Sequence, residues 1–379
     1  MWNVLCIGTC SNPNKNSFTG QSIMFDGIIK SLKDNGNTIT VIDILPRFKS
    51  SKFFYRCLDY AIILFILLYR LITEKYDVAY IITSQSKKGF LRDFMMVGLL
   101  SLFSVKVVTH QFGANYRQLT DVISKASLDR LIWMLNYIKA IIVEGDYMKE
   151  QFSFLPNYSQ KVHVVPNGLP VEGRHAQIAK TYDGKQPFIM FYLSNLIWSK
   201  GYFDVLQAVD ILVNEEGLDV KCVFAGQFWN SADDERPGIS NWEDFDQFVK
   251  EHSLTDKVEY HKGLYGEKKD SYFYKANVFL LPTYYLNEGQ PVSIIEAMAY
   301  GCVPLVTEYR HIPMMVNEAN GCFVAPKDPK DIASKIKYLM THPAIYEEKS
   351  RKSIEDYQRK FKFDIYAGKV TECMNAVIS

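Results

Sequence analysis

The sequence predicts an α/β protein built from two Rossmann-like parallel-sheet domains, and three observations carry that prediction. Short apolar runs alternate with longer segments of helical periodicity along nearly the whole chain. Such alternation is the pattern of successive βαβ units and a parallel sheet. The alternation breaks once, between Val165 and Pro187, where Pro166-Asn167-Gly168, Pro170, Gly173 and Asp183-Gly184 are turn and breaker signals. A length of 379 residues, at roughly 150 per domain, suits two domains separated at that break.

In the first half, strands are expected at Asn3–Ile7, Thr38–Ile42, Val78–Ile82, Lys106–Thr109, Ala140–Val143 and Val162–Val164. Between them lie helical segments such as Ser22–Asn35 and Leu91–Phe103. After the break, strands are expected at Phe188–Leu193, Lys221–Phe224, Val258–Tyr260, Val278–Leu281, Val303–Val306 and Gly321–Val324. From about Ala344 the chain turns charged and helical.

Composition narrows the class. Hydrophobic residues at 48% and charged residues at 22% are ordinary for a globular chain, which excludes disorder and a small disulfide-stapled fold. A net charge of +1 argues against a dedicated nucleic-acid binder. It averages two unlike parts, since residues 1–180 carry a balance of +8 and residues 181–379 one of −7. The seven cysteines (Cys6, Cys10, Cys57, Cys222, Cys302, Cys322, Cys373) show neither a disulfide framework nor a zinc spacing. They read as small apolar residues in a reducing compartment. The N-terminus, MWNVLCIG, reads as a first strand and lacks the basic region and cleavage site of a signal peptide. A cytoplasmic protein is expected.

The longest apolar run, Tyr60–Tyr69 (YAIILFILLY), is too short to span a bilayer, which takes about 20 helical residues. It suits either a buried core helix or an interfacial one. Arg47, Lys49, Lys52, Arg56, Arg70 and Lys75 surround it, and such side chains can reach lipid headgroups while Phe53, Phe54 and Tyr55 dip below them. The segment 47–75 is therefore expected to meet an anionic membrane surface peripherally, at the inner face of the cell membrane.

Two cofactor classes are demoted. The loop after the first strand, Gly8-Thr9-Cys10-Ser11-Asn12-Pro13, lacks the second and third glycines of a dinucleotide fingerprint. No phosphate-loop lysine motif follows any strand either.

The most informative segment is LPTYYLNEGQPVSIIEAMAYGCVP, residues 281–304. A strand ends in the polar loop Asn287-Glu288-Gly289-Gln290, and Pro291 stands where a helix should start, at a position whose N–H is not needed. The free amides of Val292 and Ser293 and the positive end of the helix dipole form an anion site suited to a diphosphate. Gly289 lets the backbone approach a ligand closely. Glu296 lies one to two turns into the helix, and helical side chains lean toward the N-terminus, so its carboxylate can reach ribose hydroxyls held there. Glu288 approaches the same ligand from the loop. Two acids at this spacing are ordinarily just solvated; the strand–Gly–Pro–helix context is what distinguishes them.

NEGQPVSIIEAMAYGCVP resembles the E-x7-E segment of the family 4 retaining glycosyltransferases of the GT-B fold, of the bacterial polysaccharide and O-antigen type. Further stretches resemble that family in the expected order: Asn16-Ser17-Phe18-Thr19-Gly20, Thr109-His110-Gln111-Phe112-Gly113, Val143–Tyr147, Val165–Gly168, Phe224-Ala225-Gly226 and Gly263-Leu264-Tyr265. The resemblance implies two domains facing a central cleft. It places an acceptor-binding domain at 1–165, a linker at 166–187, a nucleotide-sugar domain at 188–358 and a helix at 359–379 that crosses back to the first domain. It implies retaining transfer of a hexosyl group from a nucleotide-diphosphate sugar to a hydroxyl of a glycan, lipid-linked in cell-surface polysaccharide synthesis, with no metal and no cofactor besides the donor. Attack comes from the leaving-group side through an oxocarbenium-like state.

By the same resemblance Glu296 holds the ribose and Glu288 the sugar hydroxyls. Gly289, Gln290, Pro291, Val292 and Ser293 line the diphosphate or sugar. Lys200, in Ser199-Lys200-Gly201, neutralises the departing diphosphate, which an ammonium does well. Gly20 offers bare backbone to phosphate, and Gly263, Leu264 and Tyr265 meet the base through backbone. His110 lies near the donor sugar at the end of a cleft-facing strand, although a structural histidine fits its position equally well. One departure stands out: Asn195 occupies the position where the family often carries an arginine, so the catalytic set here is Glu288, Lys200 and His110 without that charge. Asn195 can still donate a hydrogen bond. That departure keeps a non-catalytic, glycosyltransferase-like binding protein open, along with another GT-B chemistry such as a phosphorylase or epimerase. Asp244-Phe245-Asp246 follows no expected strand and reads as a solvated helix face; Asp233-Asp234, in the polar insertion from Trp229 to Trp242, reads as solvent-facing.

Overall fold

A computed structural model describes all residues except 12–19, 49–52, 114–115, 170–176, 232–233 and 237. The chain divides into two compact units, Met1–Gly168 with Phe363–Ser379, and Leu169–Lys362.

The first unit is built on a six-stranded, all-parallel sheet. Its strands are β1 (Asn3–Gly8), β2 (Thr38–Asp43), β3 (Val78–Ile82), β4 (Lys106–Gln111), β5 (Ala140–Val143) and β6 (Val162–Val164). They lie in the order β2-β1-β3-β4-β5-β6. β3 and β5 are buried at every position, as expected of strands covered by helices on both faces. The final helix, Phe363–Ile378, belongs to this unit: Phe363 fills the space a side chain on Gly27 would need, and the Ile378 carbonyl accepts a bond from Lys106 Nζ at 2.8 Å.

The apolar run Tyr60–Tyr69 lies within one longer helix, Phe53–Thr73. Its two faces differ. Ile63, Leu67 and Leu71, four residues apart, are buried and join the core of the sheet. Phe54, Phe65 and Ile72 are 71%, 71% and 68% exposed, and Leu58, Leu68 and Tyr69 lie exposed along with them. Asp59 is buried and accepts the Arg47 amide at 3.0 Å. Among the described residues, no helix is long and apolar enough to cross a membrane.

The second unit repeats the plan. β7 (Phe188–Leu193), β8 (Val220–Ala225), β9 (Val258–His261), β10 (Val278–Leu281), β11 (Val303–Val306) and β12 (Cys322–Phe323) form a parallel sheet in the order β12-β11-β10-β7-β8-β9. All twelve strands fall where the alternation predicts them, with ends moved by one or two residues. In this sheet winding proceeds outward from β7 through β8 and β9, then restarts on its other side with β10. Loops leaving β7 and β10 therefore diverge, opening a crevice at the carboxyl ends of these two strands.

The described part of the segment expected as a linker packs on this unit. The Gln177 amide bonds the Ala299 carbonyl, and the Lys180 amide bonds Ser350 Oγ at 2.8 Å. The Lys180 ammonium donates to the carbonyls of Phe273 (2.7 Å), Tyr274 (2.9 Å) and Ala276, at the C-terminal end of the helix Gly266–Lys275. Those carbonyls have no partner within the helix, and a cation there also suits the dipole. Lys180→Met leaves the Tyr274 carbonyl without this donor and the Phe273 and Ala276 carbonyls with only the weak Cys302 thiol, at 3.2 and 3.5 Å, so urea unfolding of the full chain should show the second unit destabilised by about 1–3 kcal/mol.

Candidate active site in the second unit

The site is assembled at the crevice between β7 and β10. After β7 the chain makes one tight turn, Trp198–Lys200, and enters the helix Tyr202–Asp210 through Gly201. Gly201 has φ +74, and a Cβ there would stand 2.5 Å from the Pro282 carbonyl oxygen. The two loops are also tied by the Tyr284 amide, which donates to the Ser199 carbonyl at 2.7 Å. Lys200 is thus fixed by backbone contacts to the very loop that carries Glu288.

Lys200 Nζ stands 3.3 Å from Glu288 Oε1, with the two side chains 16% and 7% exposed, and 5.5 Å above the Tyr285 ring. The other carboxylate oxygen of Glu288 accepts a bond from Thr283 Oγ1 at 2.8 Å. Thr283 is fully buried, and its carbonyl in turn accepts Thr307 Oγ1. Glu288 is therefore held from both sides before any ligand arrives.

Pro291 occupies the cap position of the helix Val292–Ala299, one residue before the expected start, and no side chain caps that N-terminus. The amides of Val292 and Ser293 open this helix. Gly289 and Gln290 lie between it and Glu288, with Gln290 buried. Glu296 pairs with Lys269 through Oε1, each side chain being 17% exposed. Burial raises the Glu296 carboxyl pKa, while the adjacent Lys269 ammonium lowers it. The Gly263–Tyr265 stretch follows β9: Leu264 is buried, and the exposed Tyr265 ring folds back within 3.0–3.3 Å of where a Cβ on Gly263 would lie. Asn195 lies exposed in the loop after β7, its carbonyl accepting the Ile197 amide at 2.9 Å.

Lys200, Glu288, the 289–293 stretch, Glu296 and Gly263–Tyr265 all belong to loops or helix starts at the carboxyl edge of the second sheet. Gly20 and His110 belong to the first unit. Gly20 is the first residue of the helix Gly20–Asp34, and the loop before it, Asn16–Thr19, lies outside the described residues.

For His110 the expectation of a cleft-facing side chain is corrected. β4 continues past it to Gln111, and the ring is fully buried, stacked on Phe112 at 4.1 Å. Nδ1 meets the hydroxyl of Tyr80 at 2.8 Å and that of Tyr366 at 3.4 Å, while Nε2 has no hydrogen-bond partner among the described residues. Burial pushes its pKa down to about 3, so the ring is neutral at physiological pH.

Asp234 is corrected too. It is 7% exposed rather than solvent-facing, accepting the Ser199 amide at 3.5 Å; Asp233 lies outside the described residues. The polar insertion folds back here, since Glu235 pairs with Lys327 at 2.7 Å and Arg236 stacks over Trp198 at 4.7 Å. Asp244 and Asp246 do lie on a helix, Trp242–Glu251, where Asp246 pairs with Lys250. Among the described residues no group of three or more His, Cys, Asp or Glu side chains is placed to hold a metal ion.

Lys269 and Thr283 escape a reading of the sequence. Lys269 stands 27 residues before its partner, a separation that carries no local pattern. Thr283 had a weak signal, as a hydroxyl at the end of a buried strand five residues before Glu288.

Gly201→Ala tests the backbone positioning. A left-handed non-glycine residue costs about 1–2 kcal/mol, and contact with the Pro282 carbonyl adds to it. The variant should melt at lower temperature and lose whatever chemistry depends on Lys200.

Residues 174–361 match the family model described as glycosyl transferases group 1. A search of curated proteins by sequence finds no match. Among solved structures, a sucrose-phosphate synthase from Thermosynechococcus elongatus superposes with a TM-score of 0.75 at 15% identity, covering 99% of both chains. HepE from Anabaena, in complex with UDP, gives a TM-score of 0.71 at 11% identity over 99% of this chain and 100% of that one. The lipopolysaccharide outer core galactosyltransferase WaaB, in its apo form, gives 0.69 at 13% identity over 99% of both. At these identities the likeness is one of fold, and the fold is GT-B. The stretch similar to glycosyl transferases group 1, residues 174–361, holds every candidate site residue of the second unit, and the whole chain has the GT-B fold.

Proposed function

We propose that the protein is a retaining glycosyltransferase that moves a hexosyl group from a nucleotide-diphosphate sugar to a hydroxyl of a glycan acceptor. The observation that carries this reading is the convergence of Lys200, Glu288 and the uncapped helix start after Pro291, with Glu296 about one turn behind. In the reaction the bond from the anomeric carbon to the leaving phosphate oxygen breaks, and the acceptor oxygen bonds that carbon from the same face. The acceptor proton passes to the leaving phosphate. Lys200 and the amides from Gly289 to Ser293 neutralise the departing diphosphate, so charge neutralisation falls to protein groups rather than to a metal. Glu288 orients sugar hydroxyls and Glu296 the ribose; Leu264 and its neighbours meet the base. UDP is the first nucleotide to try, because HepE was solved with it.

The acceptor is proposed to be lipid-linked, in cell-surface polysaccharide synthesis at the inner face of the cell membrane. The apolar outer face of Phe53–Thr73 supports this, as do Arg47, Arg56 and Lys75 near its ends and the +8 balance of residues 1–180.

Two experiments test these points. Glu296→Ala should weaken donor binding, and Lys200→Ala should chiefly lower turnover, read as nucleotide release from a panel of uridine- and guanosine-diphosphate sugars. Unchanged affinity and rate in both variants would refute the site. Thermal stabilisation by nucleotide sugars without release would favour a binding protein, the reading that Asn195 supports. Flotation with vesicles should show binding to anionic but not neutral lipid, abolished by Phe65→Glu with Ile72→Glu. Absence of flotation alongside activity on a soluble acceptor would refute the membrane contact.

A further inference from the structure

The pair between Lys269 and Glu296 is, like Lys200–Glu288, largely shielded from water. Pairs such as Lys327–Glu235 and Arg351–Glu348 lie on the open surface, with side chains 41% to 55% exposed, whereas Lys269 and Glu296 are each 17% exposed. The pair also bridges two parts of the candidate site. Lys269 rises from the helix Gly266–Lys275, directly after the Gly263–Tyr265 stretch, and Glu296 from the helix that starts at Val292. Lys269 engages Oε1 only, and Oε2 has no hydrogen-bond partner among the described residues.

We propose that Lys269 is a positioning and specificity residue, holding Glu296 charged and oriented so that it recognises the vicinal diol of a nucleotide's ribose. The inference rests on the donor-binding reading above and adds to it a residue whose role is exercised through Glu296.

A ribose diol offers two O–H donors on neighbouring carbons. An ionised carboxylate presents two acceptor oxygens at a matching separation, and each keeps a lone pair even when one already holds an ammonium. A protonated carboxyl turns one oxygen into a donor and loses that match. Glu296 is in an environment that favours the neutral form, through its burial and the nearby negative charge of Asp270. The other titratable group coupled to it is Tyr300, one turn along its own helix. Lys269 is the cation that opposes these effects. Binding of a diol to the charged form should therefore weaken as pH falls through the Glu296 pKa. Without Lys269 that pKa is higher, and the weakening begins at higher pH.

The test uses the full chain and calorimetric titration with UDP, 2′-deoxy-UDP and 3′-deoxy-UDP, from about pH 5.5 to 8.5. Lys269→Met should weaken UDP about tenfold at neutral pH and more in acid. It should weaken the deoxy nucleotides far less, so the preference for ribose shrinks. Lys269→Arg should restore UDP affinity to within about threefold, because the charge is kept. A merely structural lysine would lower affinity for all three nucleotides alike and leave the pH profile in place. Equal loss for all three, or unchanged UDP affinity and pH profile in Lys269→Met, overturns the proposal. Should that variant fail to fold, Glu296→Gln supplies the readout: a preference for UDP over both deoxy nucleotides in the wild type that survives this change also overturns it. If the wild type binds neither UDP, GDP nor ADP, the donor-binding reading has failed, and that result is distinguishable from failure of the Lys269 role.

Discussion

Parallel strands joined by right-handed crossovers impose the constraint on which the site depends. A chain that winds outward from β7 in one direction can add strands on the other side only by returning to start again next to β7. The two loops flanking that restart lead toward opposite faces of the sheet, and the crevice where they part is a product of topology rather than of any particular side chain. What the sequence adds is precision. Gly201 against the Pro282 carbonyl, and the bond from the Tyr284 amide to the Ser199 carbonyl, lock the loops after β7 and β10 to one another. Lys200 and Glu288 then face each other without either having to search for its position, which is the preorganisation that electrostatic catalysis requires.

Electrostatics in this half work locally against the average. Residues 181–379 carry a balance of −7, yet the proposed ligand is a dianionic diphosphate. The opposition is resolved at short range. Backbone amides at the uncapped helix start carry partial positive charge at fixed positions, and Lys200 is mostly shielded from water, where its field is less screened. Acids elsewhere are occupied with cations of their own, as in Glu235 with Lys327 and Glu216 with Lys337. Net charge describes how the unit behaves at long range; it says little about what binds 3 Å from an ammonium.

Much of the fold was legible because parallel strands buried on both faces leave unmistakable apolar runs, and all twelve were readable on that basis. Their ends were less so, as in β4, which continues through His110 to Gln111. The His110 ring sits in an aromatic layer with Tyr80, Phe112 and Tyr366, the last contributed by a helix 256 residues away. No local pattern encodes a partner at that distance. The same limit hid Lys269, while Glu288, Gly289, Pro291 and Glu296 were visible because a strand, a tight loop and a helix start pack their chemistry into one short segment. Polar composition does not imply exposure at Asp234, because Lys327 and Trp198, remote in sequence, hold its neighbours Glu235 and Arg236.

The helix Phe53–Thr73 has a consequence for how the molecule behaves in dilute buffer. One face is anchored in the core by Ile63, Leu67 and Leu71, so the helix cannot roll over to hide Phe54, Phe65 and Ile72. Water must then cover an apolar strip that no described residue of the first unit shelters. Contact between two such strips removes that surface from water without changing either fold. Concentrated samples should accordingly associate through this helix, and mild detergent should disperse them by coating the strip.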